Sequence, residues 1–199
     1  MKIHGGAPLV WNDAAAPVFA SGSGAASPAY TTDLIAATGA GGADANELRV
    51  PAFTASSEDR VYTVTQVLHD VYIPNSGSVV FRPHVHWTFI AEPTTDRTVI
   101  WELNYVYAKA GAVFPSTVTP LTASGANIYT TTGAAEIRTH LITQLGDITV
   151  ATADLGPSMI FVGALKLKST STVDAGRVGL LSFDLHYLCG PRGTDSEYS

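Results

Sequence analysis

The sequence predicts an all-β protein, an antiparallel β-sandwich of jelly-roll-like type behind an extended N-terminal arm. Three observations carry that expectation. From Arg60 onward, short runs rich in Val, Ile, Thr, Tyr, Phe and Trp are separated by Pro, Gly, Asn and Asp, which is the punctuation of strands and turns. Inside the longest runs apolar and polar residues alternate, the period of a half-buried strand. Between the runs no amphipathic helix stands out, which disfavours a parallel α/β fold. A chain of 199 residues is long enough to bury one real core, and one domain is the default for a β-sandwich of this size.

In chain order, residues 1–57 read as the arm. They are dominated by Ala and Gly, as in Ala14-Ala15-Ala16-Pro17 and Gly39-Ala40-Gly41-Gly42-Ala43, and such a segment cannot repay its own ordering entropy. Trp11, Phe19, Tyr30 and Phe53 recur along it as candidate anchors, each able to enter a pocket on a neighbouring surface. A short helix over 32–37 is compatible with the sequence. Residues 58–190 read as the sandwich domain, with strands expected at 61–73, 78–91, 97–108, 126–131, 136–145, 147–152, 158–168 and 178–188. Residues 134–144 have a helix as their alternative. Pro74-Asn75-Ser76-Gly77 and Glu92-Pro93-Thr94-Thr95-Asp96 supply turn residues. Residues 191–199 read as a polar C-terminal tail.

Three strands carry the most information. In the first, Val79, Phe81, Pro83, Val85, Trp87 and Phe89 share a core face, and Arg82, His84, His86 and Thr88 share the other. Pro83 cannot donate to a ladder, which argues for an edge or a bulge there. In the next strand Val99, Trp101, Leu103, Tyr105 and Tyr107 alternate with Ile100, Glu102, Asn104, Val106 and Ala108. The short turn makes it the expected hairpin partner of the histidine strand, with Glu102 and Asn104 flanking the histidines. In the last strand Leu181, Phe183, Leu185 and Tyr187 oppose Ser182, Asp184, His186 and Leu188.

The resulting polar patch has three readings. The first is a metal site, since His-x-His on a strand points both imidazoles one way and Glu102 or Asp184 would complete the sphere. The cupin pattern fits badly: Gly77 stands one position too far from His84, and Glu92 comes six positions after His86. The second is acid–base or nucleophilic chemistry on Asp184 and His186, unsupported by any G-x-S-x-G elbow. The third is an oligomer interface in which Arg82, His84, His86, Glu102, Asn104, Asp184 and His186 bond one another between subunits, since buried polar groups need partners. This third reading leads, so neither a catalytic residue nor a metal or other cofactor is expected. His4, His69 and His140 stand singly and read as surface or structural residues, and Cys189 as a small packing residue.

Composition restricts the partners. A net charge of −6 with four Lys and seven Arg scattered along the chain leaves no basic stripe for phosphates or anionic lipid, so neither direct nucleic-acid binding nor membrane attachment is expected. One Cys rules out an internal disulfide framework and any multi-Cys zinc site. No phosphate-binding glycine loop is present. No run approaches the roughly 18 apolar residues of a membrane helix, and Met1-Lys2-Ile3-His4-Gly5-Gly6 has no signal-peptide core.

The strings Phe81-Arg82-Pro83-His84-Val85-His86-Trp87, Val99-Ile100-Trp101-Glu102-Leu103-Asn104-Tyr105, Phe183-Asp184-Leu185-His186-Tyr187 and Gly193-Thr194-Asp195-Ser196-Glu197-Tyr198 together resemble a group of small virion structural proteins of tailed bacteriophages. The resemblance covers 60–199. It implies a jelly-roll cement or decoration protein, a non-enzymatic homotrimer on the capsid exterior, made in the host cytoplasm and bound to the major capsid protein. A tail, collar or fibre protein is the alternative, and a cupin-like metal-dependent enzyme the second.

Overall fold

The computed structural model describes residues 10–16, 18–20, 29–30, 50–53, 59–67, 77–90, 96–131, 138–156, 158–173 and 178–189. The expected helix over 32–37, the polar tail, and His4 and His69 lie outside them. The chain is an all-β antiparallel sandwich. Its strands are β1 (Val10–Ala16), β2 (Val18–Ala20), β3 (Ala29–Tyr30), β4 (Pro51–Phe53), β5 (Arg60–Gln66), β6 (Ser78–Phe89), β7 (Arg97–Val99), β8 (Trp101–Ala108), β9 (Thr119–Thr122), β10 (Tyr129–Thr131), β11 (Leu141–Gln144), β12 (Ile148–Ala151), β13 (Ile160–Leu167) and β14 (Val178–Cys189). Among the described residues no helix is long and apolar enough to cross a membrane.

The front sheet is built on the two long strands β6 and β14, which pair along nearly their whole length. The far edge of β6 takes β12 along its first half and β11 along its second. The far edge of β14 takes β1 and β4, and β3 follows β4. The back sheet runs β2-β5-β13-β8-β9, and β7 and β10 form a separate two-stranded ribbon. Alternation decides what lies between the sheets. Val79, Phe81, Val85, Trp87 and Phe89 of β6 meet Trp101 and Leu103 of β8 and Phe161 and Leu165 of β13, all buried. Aromatic edges lock the layers: Phe81 meets Phe161 at 5.1 Å, and Phe53 meets Trp101 at 5.3 Å, the edge-to-face geometry that ring quadrupoles favour.

Four expectations change. The strand bearing Glu102 is not the hairpin partner of the histidine strand. Both edges of β6 are occupied by β14 and by β11 and β12, so the chain crosses to the back sheet, where β8 pairs with β13 and β9. Pro83 does not mark a sheet edge. Its carbonyl accepts from Leu145 N–H at 3.0 Å, on the side where β11 gives way to β12. A strand residue aims its N–H and C=O the same way, so the missing donor falls in that gap and no ladder bond is lost.

In β14 a bulge between Leu180 and Ser182 shifts the alternation by one. Val178 and Leu180 face the core before it, and Phe183, Leu185 and Tyr187 after it, which leaves Leu181 as the extra residue. Lastly, the described parts of the arm are stitched to the body of the same chain. β1 extends the front sheet beside β14 and β2 extends the back sheet beside β5, with Trp11 opposite Leu188, Phe19 opposite Tyr62 and Tyr30 opposite Pro51. Phe53 is a core residue, fully buried, and cannot serve as a capsid anchor.

Tight approach explains one glycine in the back sheet. A Cβ on Gly163 would lie 2.8 Å from Leu103 Cδ1 and 3.1 Å from Thr63 Cγ2, so any larger residue at this position would force those two side chains to shift. Of the first expected turn, Gly77 is described and holds φ +101, a conformation that favours glycine.

Candidate functional site

The two outer faces of the sandwich differ in chemistry. The front face carries the outward residues of β6 and β14. Antiparallel register sets His84 opposite Asp184, His86 opposite Ser182 and Arg82 opposite His186, and β11 brings Gln144 opposite His84 on the other side. Four of the expected residues therefore converge. His84 Nδ1 lies 2.9 Å from His186 Nε2, and His86 Nε2 lies 2.8 Å from Asp184 Oδ2. Arg82 stands at the margin and donates from Nε to Asp147 Oδ1 at 3.1 Å.

Glu102 and Asn104 do not join them. They sit on the opposite outer face, where Glu102 pairs with Lys166 Nζ at 3.0 Å. His140, expected to stand alone, is part of the cluster instead, with Nε2 2.8 Å from His86 Nδ1 and the two rings stacked. The signal that could have found it is the expected strand over 136–145, whose alignment beside the histidine strand carries His140 and Gln144 to this face.

Proton positions in the relay follow from what each atom can do. A carboxylate accepts, so His86 donates from Nε2 to Asp184. A neutral His86 then offers a lone pair at Nδ1, and His140 donates to it. Burial, and after it the neighbouring charge of His186, holds the His84 imidazole below its usual pKa of 6.5, against the opposing pull of Asp184 and of a hydrogen bond with the Gln144 side chain. Asp184 Oδ1 is buried and has no hydrogen-bond donor among the described residues. These groups bond one another within a single chain, so the cluster does not require a second subunit to supply partners.

The back face carries an apolar row beside polar ones. Cross-strand register sets Val64 of β5, Val162 of β13 and Val106 of β8 side by side, with Tyr62, Ala164 and Asn104 in the next row and Arg60, Lys166 and Glu102 in the one beyond. Val64 and Tyr62 are 41% and 38% exposed, whereas Thr63 and Thr65 between and beyond them turn inward and are buried. Over 62–65 the strand β5 thus inverts the usual assignment of apolar residues to the inside, although Val61 before them is buried in the core.

A pocket at one end of the sandwich is lined by Tyr107, Lys109, Ala112, Val113, Pro115 and Asp154. Lys109 Nζ donates to the Ala153 carbonyl there at 2.6 Å. Burial, and then the Asp154 charge, raises the Tyr107 phenol above its usual pKa. Asp154 is the one carboxylate among its described lining residues.

No family model matches the chain, and no curated protein matches it. Among solved structures it is similar to isomalto-dextranase from Arthrobacter globiformis T6 complexed with panose, at 17% identity and a TM-score of 0.35, over 89% of this chain. The chain spans 23% of that protein's length. The match is to an enzyme and so stands against the expectation of a non-enzymatic chain. At that TM-score it carries over no activity, substrate or residue role.

Proposed function

We propose that the chain is a capsid-decorating component of a tailed-phage particle, assembling as a homotrimer on the outer shell with the back face of the sandwich as its assembly surface. The observation that carries the assembly surface is the row Val64–Val162–Val106, three valines aligned across three strands on an outer face. Contiguous apolar groups on an outer face mark an interaction surface more often than scattered ones do. A threefold ring joins unlike patches, and the loop 109–118 offers the second, with Val113 93%, Phe114 43% and Val118 60% exposed.

The virion context rests on the sequence resemblance. Two of its motif strings fall on the adjacent strands β6 and β14 and build the front face together, while the third falls on β8. Sedimentation of the purified chain is expected to give a trimer, and imaging of the phage particle to show it on the head exterior. A monomer at micromolar concentration would remove the assembly surface, and density at the tail or collar would move the protein off the shell.

A further inference from the structure

We propose that His84, Asp184 and His186 form a three-ligand site for a zinc-class divalent cation on the front face. The same three atoms close a triangle. His84 Nδ1 is 2.9 Å from His186 Nε2, His186 Nε2 is 3.4 Å from Asp184 Oδ1, and Asp184 Oδ1 is 3.8 Å from His84 Nδ1. A tetrahedral cation with bonds of about 2.0–2.1 Å requires neighbouring ligand atoms about 3.3 Å apart, and the three sides bracket that value. Drawing the carboxylate in by a few tenths of an ångström and easing the imidazoles apart by as much completes the geometry without moving a strand.

The chemistry of the cluster asks for a cation at that point. Asp184 Oδ1 is an acceptor buried from solvent, and no donor among the described residues bonds it, although two imidazole nitrogens stand close by. One proton shared between His84 and His186 satisfies those two nitrogens and leaves the carboxylate oxygen unserved. A cation serves all three at once. Two imidazoles and one carboxylate select zinc and its neighbours over calcium or magnesium, which prefer an all-oxygen sphere.

The surroundings supply the outer shell such a site needs. Ligating carboxylates are themselves hydrogen-bonded, and Asp184 Oδ2 is held by His86, which is held in turn by His140. Gln144 bonds the His84 ring. All three ligands stand on two strands paired in register, so the backbone fixes their directions before any metal arrives. His86 belongs to the outer shell, which sets this arrangement apart from a His-x-His chelate. The His186 side chain is 26% exposed, and water would supply the fourth ligand of a tetrahedral cation held by these three. The inference concerns the front face and stands whether or not the back face assembles a trimer.

The experiment is a titration of the untagged full-length protein, stripped with chelator, against Zn2+ and Co2+ by calorimetry and visible absorption. One equivalent is expected to bind per chain, with the intense Co2+ bands of a four-coordinate site. His84→Ala and His186→Ala should each weaken binding by more than about 100-fold, and His140→Ala, which removes only the end of the outer shell, by about 10-fold. Glu102→Gln, on the opposite face, should bind as the parent does. Failure of the parent protein to bind either cation overturns the proposal and does not depend on any variant folding. Affinity unchanged in both histidine ligand variants overturns it as well.

Discussion

The front and back faces of the sandwich are built on the same scaffold and share one core, yet their outward residues follow opposite rules. On the front face β6 and β14 present imidazoles and a carboxylate that bond one another at 2.8–2.9 Å. On the back face β5, β13 and β8 present aligned valines, while the hydroxyls of Thr63 and Thr65 turn inward without a hydrogen-bond partner among the described residues. The front face bonds most of its polar groups to one another but leaves Asp184 Oδ1 without a hydrogen-bond donor among the described residues, and therefore suits a site. The back face exposes apolar surface that only another surface can cover, and therefore suits an interface. Inward residues say little about function here, because both sheets fill the core with the same kinds of side chain.

Three substitutions test that division, and the largest effect should come from the shared core. Trp101 is fully buried and touches Phe53 and Trp87 edge-on, so Trp101→Ala should cost about 3–5 kcal/mol in chemical denaturation and weaken both faces together. Loss of one face alone would show that the sheets do not share a cooperative core. Next comes Val162→Asp at the centre of the valine row. It should weaken self-association by about 100-fold, because a carboxylate buried in an interface without a partner is strongly unfavourable, while changing the denaturation midpoint little. An unaltered sedimentation profile would take the back face out of assembly.

The smallest effect of the three is expected from His86→Ala. It removes the hydrogen bond to Asp184 Oδ2 and the stack on His140, a loss of about 1–3 kcal/mol in stability, and leaves the oligomer intact. If the oligomer dissociated instead, the histidine cluster would be the interface that the sequence alone first suggested, and the two faces would exchange roles. Together with Val162→Asp this variant forms a crossed pair, each expected to damage what the other spares.

What the sequence determined by itself was the direction of each side chain along its own strand. The alternation of Val79 through Phe89 against Arg82, His84 and His86 is local, set by the period of two in an extended backbone, and burial follows it in β6 as far as Trp87 and in β8 as far as Asn104, while Thr88 and Ala108, expected outward, are buried. The all-β sandwich was legible for the same reason. The tertiary structure decided which outward residues meet. Glu102 is as outward as His84, but β8 pairs in the other sheet because both edges of β6 are taken, so the carboxylate expected beside the histidines lies on the far side of the core.

His140 and Gln144 reach the cluster only because β11 docks on the second half of β6, a pairing between segments more than fifty residues apart that no local pattern encodes. Similarly, the bulge at Leu181 sets which half of β14 follows which alternation, and the pairing of β1 and β2 turns part of an Ala/Gly-rich segment into two sheet edges. Period is a property of one strand, whereas neighbourhood is a property of two. The site on this protein belongs to the second kind.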